Sequence, residues 1–192
     1  AANTVVNNDV PIAVGAGVES ISLVSMGGMN TNNITEESLM QQYPALWMPM
    51  IETADIVAQR YDVKRDYQDE YALRSQQRIA AAQEAGKFDD EIVPMKTKMK
   101  VVDRETKEES IVDYTVTKDE CNRPQTNIEG LQSLQPVRGE GNFVTAGNAS
   151  QLSDGAAAVV VMEAAEAAKR GAEPLGAFRG FAVAGCEPDE MG

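Results

Sequence analysis

Apolar and polar positions follow first a helical and then a strand-like spacing at the start of this 192-residue chain. Residues 1–7 suit the end of a helix, and the turn cluster Asn7-Asn8-Asp9 separates them from the apolar run Val10 to Val14, which predicts a buried strand. Gly15-Ala16-Gly17 then predicts a turn or a close backbone approach. Residues 25–49 lack a sustained period, which indicates an irregular segment with at most short helices.

The middle of the chain has clear helical patterns. Thr53 to Arg60 and Lys64 to Ala85 predict two helices, and Gly86 is a natural C-terminal stop for the second. The second helix carries four apolar or aromatic side chains near one face: Tyr67, Tyr71, Ile79 and Ala82. Thr126 to Leu134 predicts a further short helix that Pro136 ends.

Strand-like runs surround and interrupt this helical region. Short strands are predicted at 91–93, 98–103 and 110–115, the last two joined as a hairpin. Ala156 to Met162 predicts a strand that is buried on both faces if its sheet is parallel, Ala164 to Arg170 predicts a helix, and Leu175 to Val183 predicts a last strand. Strands near both ends that enclose a helical, hairpin-bearing middle indicate a layered α/β body with a large insertion.

Composition and charge narrow the function classes. The chain is 43% hydrophobic and 24% charged, as in ordinary folded proteins, and its net charge of -13 argues against nucleic acid as a partner. The longest apolar run, Ala156 to Met162, is far shorter than the roughly 20 residues of a membrane span. Two cysteines indicate a reducing compartment, with the cytoplasm as the expectation and an organelle left open.

The sequence contains no histidine, which excludes the usual zinc sites and every Ser-His or Cys-His catalytic pair within the chain. The glycine-rich turns fit neither a phosphate-binding loop nor a dinucleotide-binding fingerprint, so Gly139 and Gly141 are interpreted as turn residues. The carboxylate clusters at 89–91 and 108–109 are interpreted as solvated edges. No metal site is predicted.

The run from Val144 to Ala157 is dense in small polar residues just before the apolar strand. Ser150 can donate and accept a hydrogen bond, Asn148 can bridge backbone groups, and Ala146 and Gly147 leave room for a slender ligand. On composition alone, a structural turn that feeds the strand and a segment that lies against a ligand both stay open.

Several segments together resemble the thiolase family. The segments Thr145 to Ser150 (TAGNAS) and Asp154 to Ala158 (DGAAA) closely resemble the family's pantetheine-binding segment, and Gly17 to Ser20 (GVES) is similar to the turn after its nucleophile helix. Residues 53–72 and 85–94 look like its inserted loop domain, and Met191-Gly192 looks like the start of M-G-x-G-P. The similarity covers essentially the whole chain in the expected order.

The resemblance implies a partial thiolase-like αβαβα fold with an inserted α+β loop domain. It places the end of the N-terminal half at 1–22, the loop domain at 23–141, the return to the N-terminal half at 142–171 and the start of the C-terminal half at 172–192. It implies coenzyme A or acyl-CoA as a substrate rather than a tightly bound cofactor. The expected partners are acyl-CoA and further copies of the chain, as a dimer or tetramer.

The resemblance also implies roles for individual residues. Arg123 would pack on the nucleotide end of coenzyme A, Ser150 would hydrogen-bond the pantetheine, and two methionines would line the acyl pocket. The implied ligand contacts are Arg123, Ala146, Ser150, Leu152, Met50 and Met191. The chain departs from the family pattern at Pro49, Arg138 and Gly130, where many members have a histidine, an aromatic residue and a serine, so ligand contacts there are expected to differ.

None of the family's reactive residues falls within the chain. The resemblance places the nucleophilic cysteine about ten residues before Ala1, within the usual boundary error, and the catalytic histidine, asparagine and second cysteine after Gly192. Cys121 and Cys186 are interpreted as structural or passive thiols, because no histidine is available to activate them. A chain that opens without Met inside a helix and closes inside a family motif is expected to be an excised piece.

The expected function of the parent protein is acyl transfer between coenzyme A and a catalytic cysteine. The reaction would cleave 3-ketoacyl-CoA or condense two acyl-CoA molecules, and this chain would carry coenzyme A contacts but be inactive alone. The alternative is a non-catalytic thiolase-like module that binds acyl-CoA or serves assembly.

Overall fold

The computed structural model describes residues 1–24 and 29–191. The chain divides into two compact units, the first formed by Ala1–Trp47 with Leu152–Glu187 and the second by Met48–Gln151 with Pro188–Gly192. Helices and strands occur in both units, so the predicted mixture of α and β structure is observed. Each unit is described below by itself.

The first unit is built on a two-stranded sheet. Helix α1 (Ala2–Asn7) precedes strand β1 (Ile12–Glu19), which pairs with strand β4 (Gly155–Met162). The pairing is antiparallel, from Ile12 opposite Met162 to Glu19 opposite Gly155. The helix at the start and both strands were predicted, but the turn at Gly15-Ala16-Gly17 was wrong, because β1 continues through these residues.

The sequence-based expectation for strand β4 needs a second correction. A continuous apolar run favours a strand with both faces buried in a parallel sheet, yet β4 pairs in the antiparallel direction. Val159 and Val160 are 61% and 62% exposed. The apolar run indicates which side chains prefer to leave water, but it carries no information about the direction of the neighbouring strand.

Short helices complete the first unit. Helix α2 (Ile21–Leu23) follows β1, and helix α3 (Glu37–Gln42) with the 3-10 turn Pro44–Trp47 lies in the region predicted to be irregular with short helical pieces, of which residues 25–28 fall outside the described residues. The Glu36 carboxylate accepts the N–H groups of Ser38 and Leu39 and so caps α3. Hydrogen bonds from the Ser38 hydroxyl and from these N–H groups lower the pKa of Glu36.

Helix α7 (Ala164–Arg170) ends as predicted at Gly171, which adopts a left-handed φ of 66°. The strand predicted from Leu175 to Val183 is wrong, since no regular element is formed there. Leu175 is fully exposed and Phe181 is 85% exposed. A strand is stable only when a neighbour satisfies its backbone groups, and the described residues provide none for this segment.

The second unit contains the longest helices. Helix α4 (Met50–Arg60) and helix α5 (Arg65–Glu84) match the two predicted helices, and helix α6 (Ile128–Gln132) lies within the predicted third one. Asn127 caps α6 because its side chain accepts the Gly130 N–H. The apolar face assigned to α5 is not its buried face: Tyr67 and Tyr71 are 64% and 62% exposed.

The predicted hairpin is confirmed as strands β2 (Met95–Val102) and β3 (Glu109–Val116), which pair in antiparallel register. Asp103 closes its turn by accepting the N–H groups of Glu105 and Thr106, and these bonds lower the pKa of Asp103. The short strand predicted at 91–93 is wrong. Glu91 is the last residue of a turn instead, and the N–H groups of Glu91 and Ile92 bond to the Phe88 carbonyl.

The buried part of the second unit is small and largely polar. Its most buried residues are Thr53, Asp55, Ala58, Asp69, Leu131 and Thr145. Buried polar groups are costly unless hydrogen bonds compensate for their lost hydration. The hydrogen-bond partners of these buried polar groups therefore identify the segment that the unit holds in place.

Candidate functional site

Residues 143–150 form a compact turn that its own side chains close. The Thr145 N–H donates to Asn148 Oδ1 over 2.8 Å, while Thr145 Oγ1 accepts the N–H groups of Gly147 and Asn148 over 3.2 and 3.3 Å. The Ala149 N–H bonds to the Thr145 carbonyl. Thr145 has no exposed surface, so this local network lies on the inner side of the turn.

Asp55 of helix α4 holds the start of the turn. Its Oδ1 accepts the backbone N–H groups of Phe143 and Val144 over 2.8 and 3.1 Å, and its Oδ2 accepts a hydrogen bond from Arg138 over 3.3 Å. Arg138 also pairs with Glu52. Because Asp55 is 4% exposed, these three donors compensate for the burial of its charge.

Asp69 of helix α5 holds the end of the turn. Arg65 Nε donates to both Asp69 oxygens over 2.9 and 2.8 Å, and Asn148 Nδ2 donates to Asp69 Oδ1 over 3.1 Å. Asn148 Nδ2 also donates to the Phe143 carbonyl. Asp69 is completely buried, so α5 fixes the turn through a charged group that water does not reach.

The end of α6 and the residues that follow it pack against the turn at Gly147. A Cβ atom added to Gly147 would come within 2.5 Å of Leu131 Cδ2 and 2.7 Å of Leu134 Cδ1. Arg65 Nη2 donates to the carbonyls of the same two leucines over 2.8 and 3.0 Å. Glycine at position 147 therefore allows the turn to lie directly on α6.

The outer side of the turn is made of small exposed residues. Ala146, Ala149 and Ser150 are exposed, and Ser150 Oγ donates to the Gln151 carbonyl over 3.3 Å. A rigid inner side combined with short outer side chains creates a surface on which an extended ligand can approach the backbone. Ala146 and Ser150, both predicted ligand contacts, are exposed residues of this turn.

Arg123 lies on a different loop of the same unit. Its backbone N–H donates to Gln76 Oε1 over 2.7 Å, and the Thr126 N–H and hydroxyl both bond to its carbonyl. Within residues 1–24 and 29–191, its exposed guanidinium forms no ion pair. The structure thus fixes the backbone of Arg123 and presents its charge to solvent.

The remaining predicted contacts are spread out. Met50 begins α4 and is 51% exposed, Met191 is 53% exposed, and Leu152 belongs to the first unit and is 78% exposed. Within residues 1–24 and 29–191, no hydrogen bond or ion pair joins Met50, Met191 or Arg123 directly to the turn.

Met191 follows a turn that α4 holds by charge. Arg60, the last residue of α4, donates to Glu190 Oε1 over 2.5 Å and to Asp189 Oδ2 over 2.7 Å, and the Tyr61 hydroxyl donates to the same Glu190 oxygen over 2.9 Å. Arg60 lowers the pKa values of both carboxyls, and hydrogen bonding to Glu190 raises the pKa of Tyr61.

In the first unit, Asp154 links the two family-like segments there. Its Oδ1 accepts the Ser22 N–H over 3.0 Å and its Oδ2 accepts the hydroxyls of Ser22 and Ser20. The hydrogen bonds from Ser22 lower the pKa of Asp154. The segment that ends at Ser20 and the segment that begins at Asp154 are therefore joined at one end of the β1–β4 pair.

The residues at which the chain departs from the family pattern have structural contacts. Arg138 binds Asp55 and Glu52, Pro49 precedes the first turn of α4, and Gly130 donates its N–H to the Asn127 cap. The sequence reasoning missed Asp55, Asp69 and Arg65. The available signal was an aspartate placed among apolar helical residues, as in Ala54-Asp55-Ile56-Val57.

Other kinds of site find no support within the described ranges. The helices of residues 1–24 and 29–191 include none that is long and apolar enough to cross a membrane. The same residues contain no group of three or more cysteine, aspartate or glutamate side chains that could hold a metal ion.

The chain is an α/β protein in which buried hydrogen bonds hold the turn at 143–150 while small residues of that turn stay exposed. The family model for the thiolase N-terminal domain matches residues 1–165. The chain belongs to the thiolase family. This membership confirms the resemblance found in the sequence.

Named relatives extend the comparison. The chain is 43% identical over 181 residues to "3-ketoacyl CoA thiolase 1, peroxisomal" of Petunia hybrida, covering 94% of this chain and 38% of that protein. The chain therefore spans about two fifths of the length of this curated relative.

Solved structures show the same fold. The dimeric peroxisomal thiolase of Saccharomyces cerevisiae matches 99% of this chain and 46% of its own, with a TM-score of 0.82 and 30% identity. Human mitochondrial 3-ketoacyl-CoA thiolase in complex with CoA matches 90% of this chain and 43% of its own, with a TM-score of 0.65 and 31% identity. The prediction of a partial thiolase-like α/β fold is confirmed.

Proposed function

We propose that the protein containing this chain transfers acyl groups between coenzyme A and a catalytic cysteine, in thiolysis of 3-ketoacyl-CoA or in the reverse condensation. The observation that carries the proposal is the turn at 143–150. It lies within the part of the chain that matches the family model, and buried groups on two helices hold it while Ala146 and Ser150 stay exposed.

The chemistry of this surface suits the pantetheine arm of coenzyme A. Pantetheine is slender and carries amide groups, so short side chains let it lie close to the backbone and the Ser150 hydroxyl can hydrogen-bond it. Exposed Leu152 offers apolar contact nearby in sequence. Coenzyme A is also an anion, and a chain with a net charge of -13 needs a local cation such as Arg123 to attract it.

Met50 and Met191 are the proposed contacts for the acyl group. Methionine is flexible and polarisable, which suits an apolar group of variable shape. In this proposal, coenzyme A and its esters are substrates that arrive and leave, and nothing is held permanently.

The chain itself supplies binding rather than reaction. A thiolase needs a thiolate, a base that activates it and donors that stabilise the developing oxyanion. The sequence contains no histidine, so we propose that the reactive cysteine and its base belong to segments outside these residues. The same absence favours a second candidate function, a non-catalytic module that binds acyl-CoA.

Sequencing the coding region on both sides of this chain separates the two candidates. In-frame segments that carry a nucleophilic cysteine before it and a histidine and cysteine after it would support the enzyme. Stop codons close to both ends would contradict the enzyme and leave the binding module as the candidate function.

Kinetics on the protein from the complete reading frame tests the binding surface. Ser150→Ala and Arg123→Ala are expected to raise KM for acyl-CoA, each by roughly tenfold, the effect of one hydrogen bond or ion pair to a charged group. Arg104→Ala, which changes an arginine in the hairpin turn, is the matched control. Unchanged KM values for both Ser150→Ala and Arg123→Ala would remove this surface from the proposal.

Assembly, compartment and domain boundaries are further parts of the proposal. The yeast thiolase is dimeric, which supports a homodimer, with a tetramer as the other predicted state. The expectation of a cytoplasmic location finds no support, and the petunia and yeast relatives, both named peroxisomal, support an organelle. The boundaries at 22, 141 and 171 stay predictions.

A further inference from the structure

A completely buried carboxylate lies directly behind the turn. Asp69 is 0% exposed and is bound by Arg65 and by the side-chain amide of Asn148. Burying a charge is expensive, and replacement of a buried ion pair by apolar residues is often neutral for stability. This cost suggests a role for the charge beyond holding the helix together.

We infer that Asp69 is a positioning residue: it fixes the orientation of the Asn148 amide, and through it the exposed side of the turn that presents Ser150 to acyl-CoA. The inference rests on the proposed function. It concerns a residue that contacts no ligand and acts through Asn148.

The hydrogen bonds of Asn148 show how the Asp69 carboxylate helps to orient its side-chain amide. Its Nδ2 donates to Asp69 Oδ1 and to the Phe143 carbonyl, and its Oδ1 accepts the Thr145 N–H. Rotating the amide by half a turn would set its oxygen against the Asp69 carboxylate and the Phe143 carbonyl, and its NH₂ against the Thr145 N–H. Since an ionised carboxylate only accepts hydrogen bonds, Asp69 adds a buried, charged acceptor to the two backbone groups that favour this orientation.

Arg65 ties this arrangement to the support below the turn. Besides pairing with Asp69, it donates to the carbonyls of Leu131 and Leu134, whose side chains lie under Gly147. The ion pair, the end of α6 and the turn therefore form one connected network. A change at Asp69 is transmitted to the turn by the amide of Asn148 and by the position of α6.

Asp69→Asn in the protein from the complete reading frame tests the inference. The substitution keeps the shape of the side chain, but it removes the charged acceptor of the Asn148 amide and leaves only the Phe143 carbonyl and the Thr145 N–H to orient that amide. We expect KM for acyl-CoA to rise roughly tenfold, as when outer partners of binding residues are removed elsewhere, with kcat changed by less than about threefold. Glu70→Gln, an exposed neutralisation at the next position of α5, is expected to leave both constants unchanged.

A double variant shows whether Asp69 acts through the turn. If it does, the KM of Asp69→Asn combined with Ser150→Ala will lie close to that of Ser150→Ala alone. Multiplied effects would contradict the inference, as would an unchanged KM in Asp69→Asn. A fall in kcat with KM unchanged would also overturn it, because a positioning role at the binding surface predicts a raised KM with kcat little changed.

Asn148→Ala provides the same test if Asp69→Asn does not fold, because it removes the other partner of the contact. The expected result is again a raised KM that does not multiply with Ser150→Ala, and an unchanged KM would overturn the inference. If Ser150→Ala raises KM but neither network variant does, the inference fails and the proposed function stands. If the wild-type protein neither binds nor converts acyl-CoA, both fail.

Discussion

Asp55 Oδ1 lies 2.8 Å from the backbone nitrogen of Phe143 and accepts its hydrogen bond from within helix α4. The two residues are far apart in sequence, and their contact fixes the start of the turn at 143–150. The carboxylate satisfies these backbone N–H groups as the carbonyl groups of a neighbouring strand would in a sheet.

Asp55→Asn is expected to loosen the start of the turn. The amide oxygen can still accept the N–H groups of Phe143 and Val144, but the side chain loses the charge that balances Arg138 and turns an NH₂ group towards the Arg138 donor. Hydrogen exchange of a peptide covering 137–150 is expected to become at least roughly tenfold faster, an opening free energy lower by about 1.4 kcal/mol. Gln59→Ala, at an exposed position of the same helix, is the control, and equal exchange in both variants would contradict the assignment.

Gly147→Ala is expected to disturb the contact between the turn and α6. The new methyl group would overlap with the side-chain ends of Leu131 and Leu134, and Leu131 is buried, so there is little room for relief. Overpacking of this kind costs about 1 to 3 kcal/mol. A lower Tm and a raised KM for acyl-CoA are the expected results.

Gly176→Ala serves as the matched control, because a Cβ atom there would meet nothing within 4 Å. Leu134→Ala combined with Gly147→Ala is expected to restore part of the lost Tm by making room for the methyl group. A Gly147→Ala protein with unchanged Tm and KM would show that the turn does not depend on this close approach.

These cases show what the sequence could and could not predict. The helices at 50–60 and 65–84 and the hairpin follow local patterns of spacing, turn residues and stops, so they were predictable. The direction of the β1–β4 pairing was not predictable, because the same apolar run is compatible with a parallel and with an antiparallel neighbour. Residues 175–183 have a strand-like composition, but no strand of the described residues pairs with them, so they form no strand.

The candidate site divides in the same way. Ala146 and Ser150 were predicted as ligand contacts because their segment resembles the pantetheine-binding segment of the family, and they stay predictions. Asp69 was missed because its role depends on Asn148, which is distant in sequence, and because a charged residue at a helix position is ordinarily assigned to the solvent side. Burial of a charge by tertiary contacts leaves almost no local signature.

Acid is expected to weaken the link between Asp154 and Ser22. The Ser22 hydrogen bonds stabilise the charged carboxylate and lower its pKa in the folded protein. Stability from this contact is therefore complete above the ordinary aspartate pKa of about 3.9 and is lost as the pH falls through the lower folded-state value. An NMR titration of the Asp154 side-chain carbon should show a midpoint below that ordinary value.

Ser22→Ala is expected to move that midpoint back towards the ordinary value. Ser38→Ala, a serine-to-alanine change next to a different carboxylate in the same unit, is the control and should leave the Asp154 midpoint unchanged. A midpoint at or above the ordinary value in the wild-type protein would contradict the role assigned to Ser22.

Salt is expected to loosen the 188–190 turn. Arg60 and its two carboxylate partners are partly exposed, with Arg60 at 43%, so dissolved ions screen their attraction. Hydrogen exchange at the amides of 189–191 should rise between about 0.05 and 1 M salt in the wild type and show little salt dependence in Arg60→Met. Equal salt dependence in the two proteins would show that this ion-pair cluster does not hold the turn.

A structure of the protein from the complete reading frame with coenzyme A bound tests the central claim most directly. The account predicts that the pantetheine lies along Ala146 to Ser150, with the Ser150 hydroxyl within hydrogen-bonding distance and the Asp69–Asn148 contact kept as it is here. Coenzyme A bound away from this turn, or bound there only after the Asp69–Asn148 contact has opened, would contradict it.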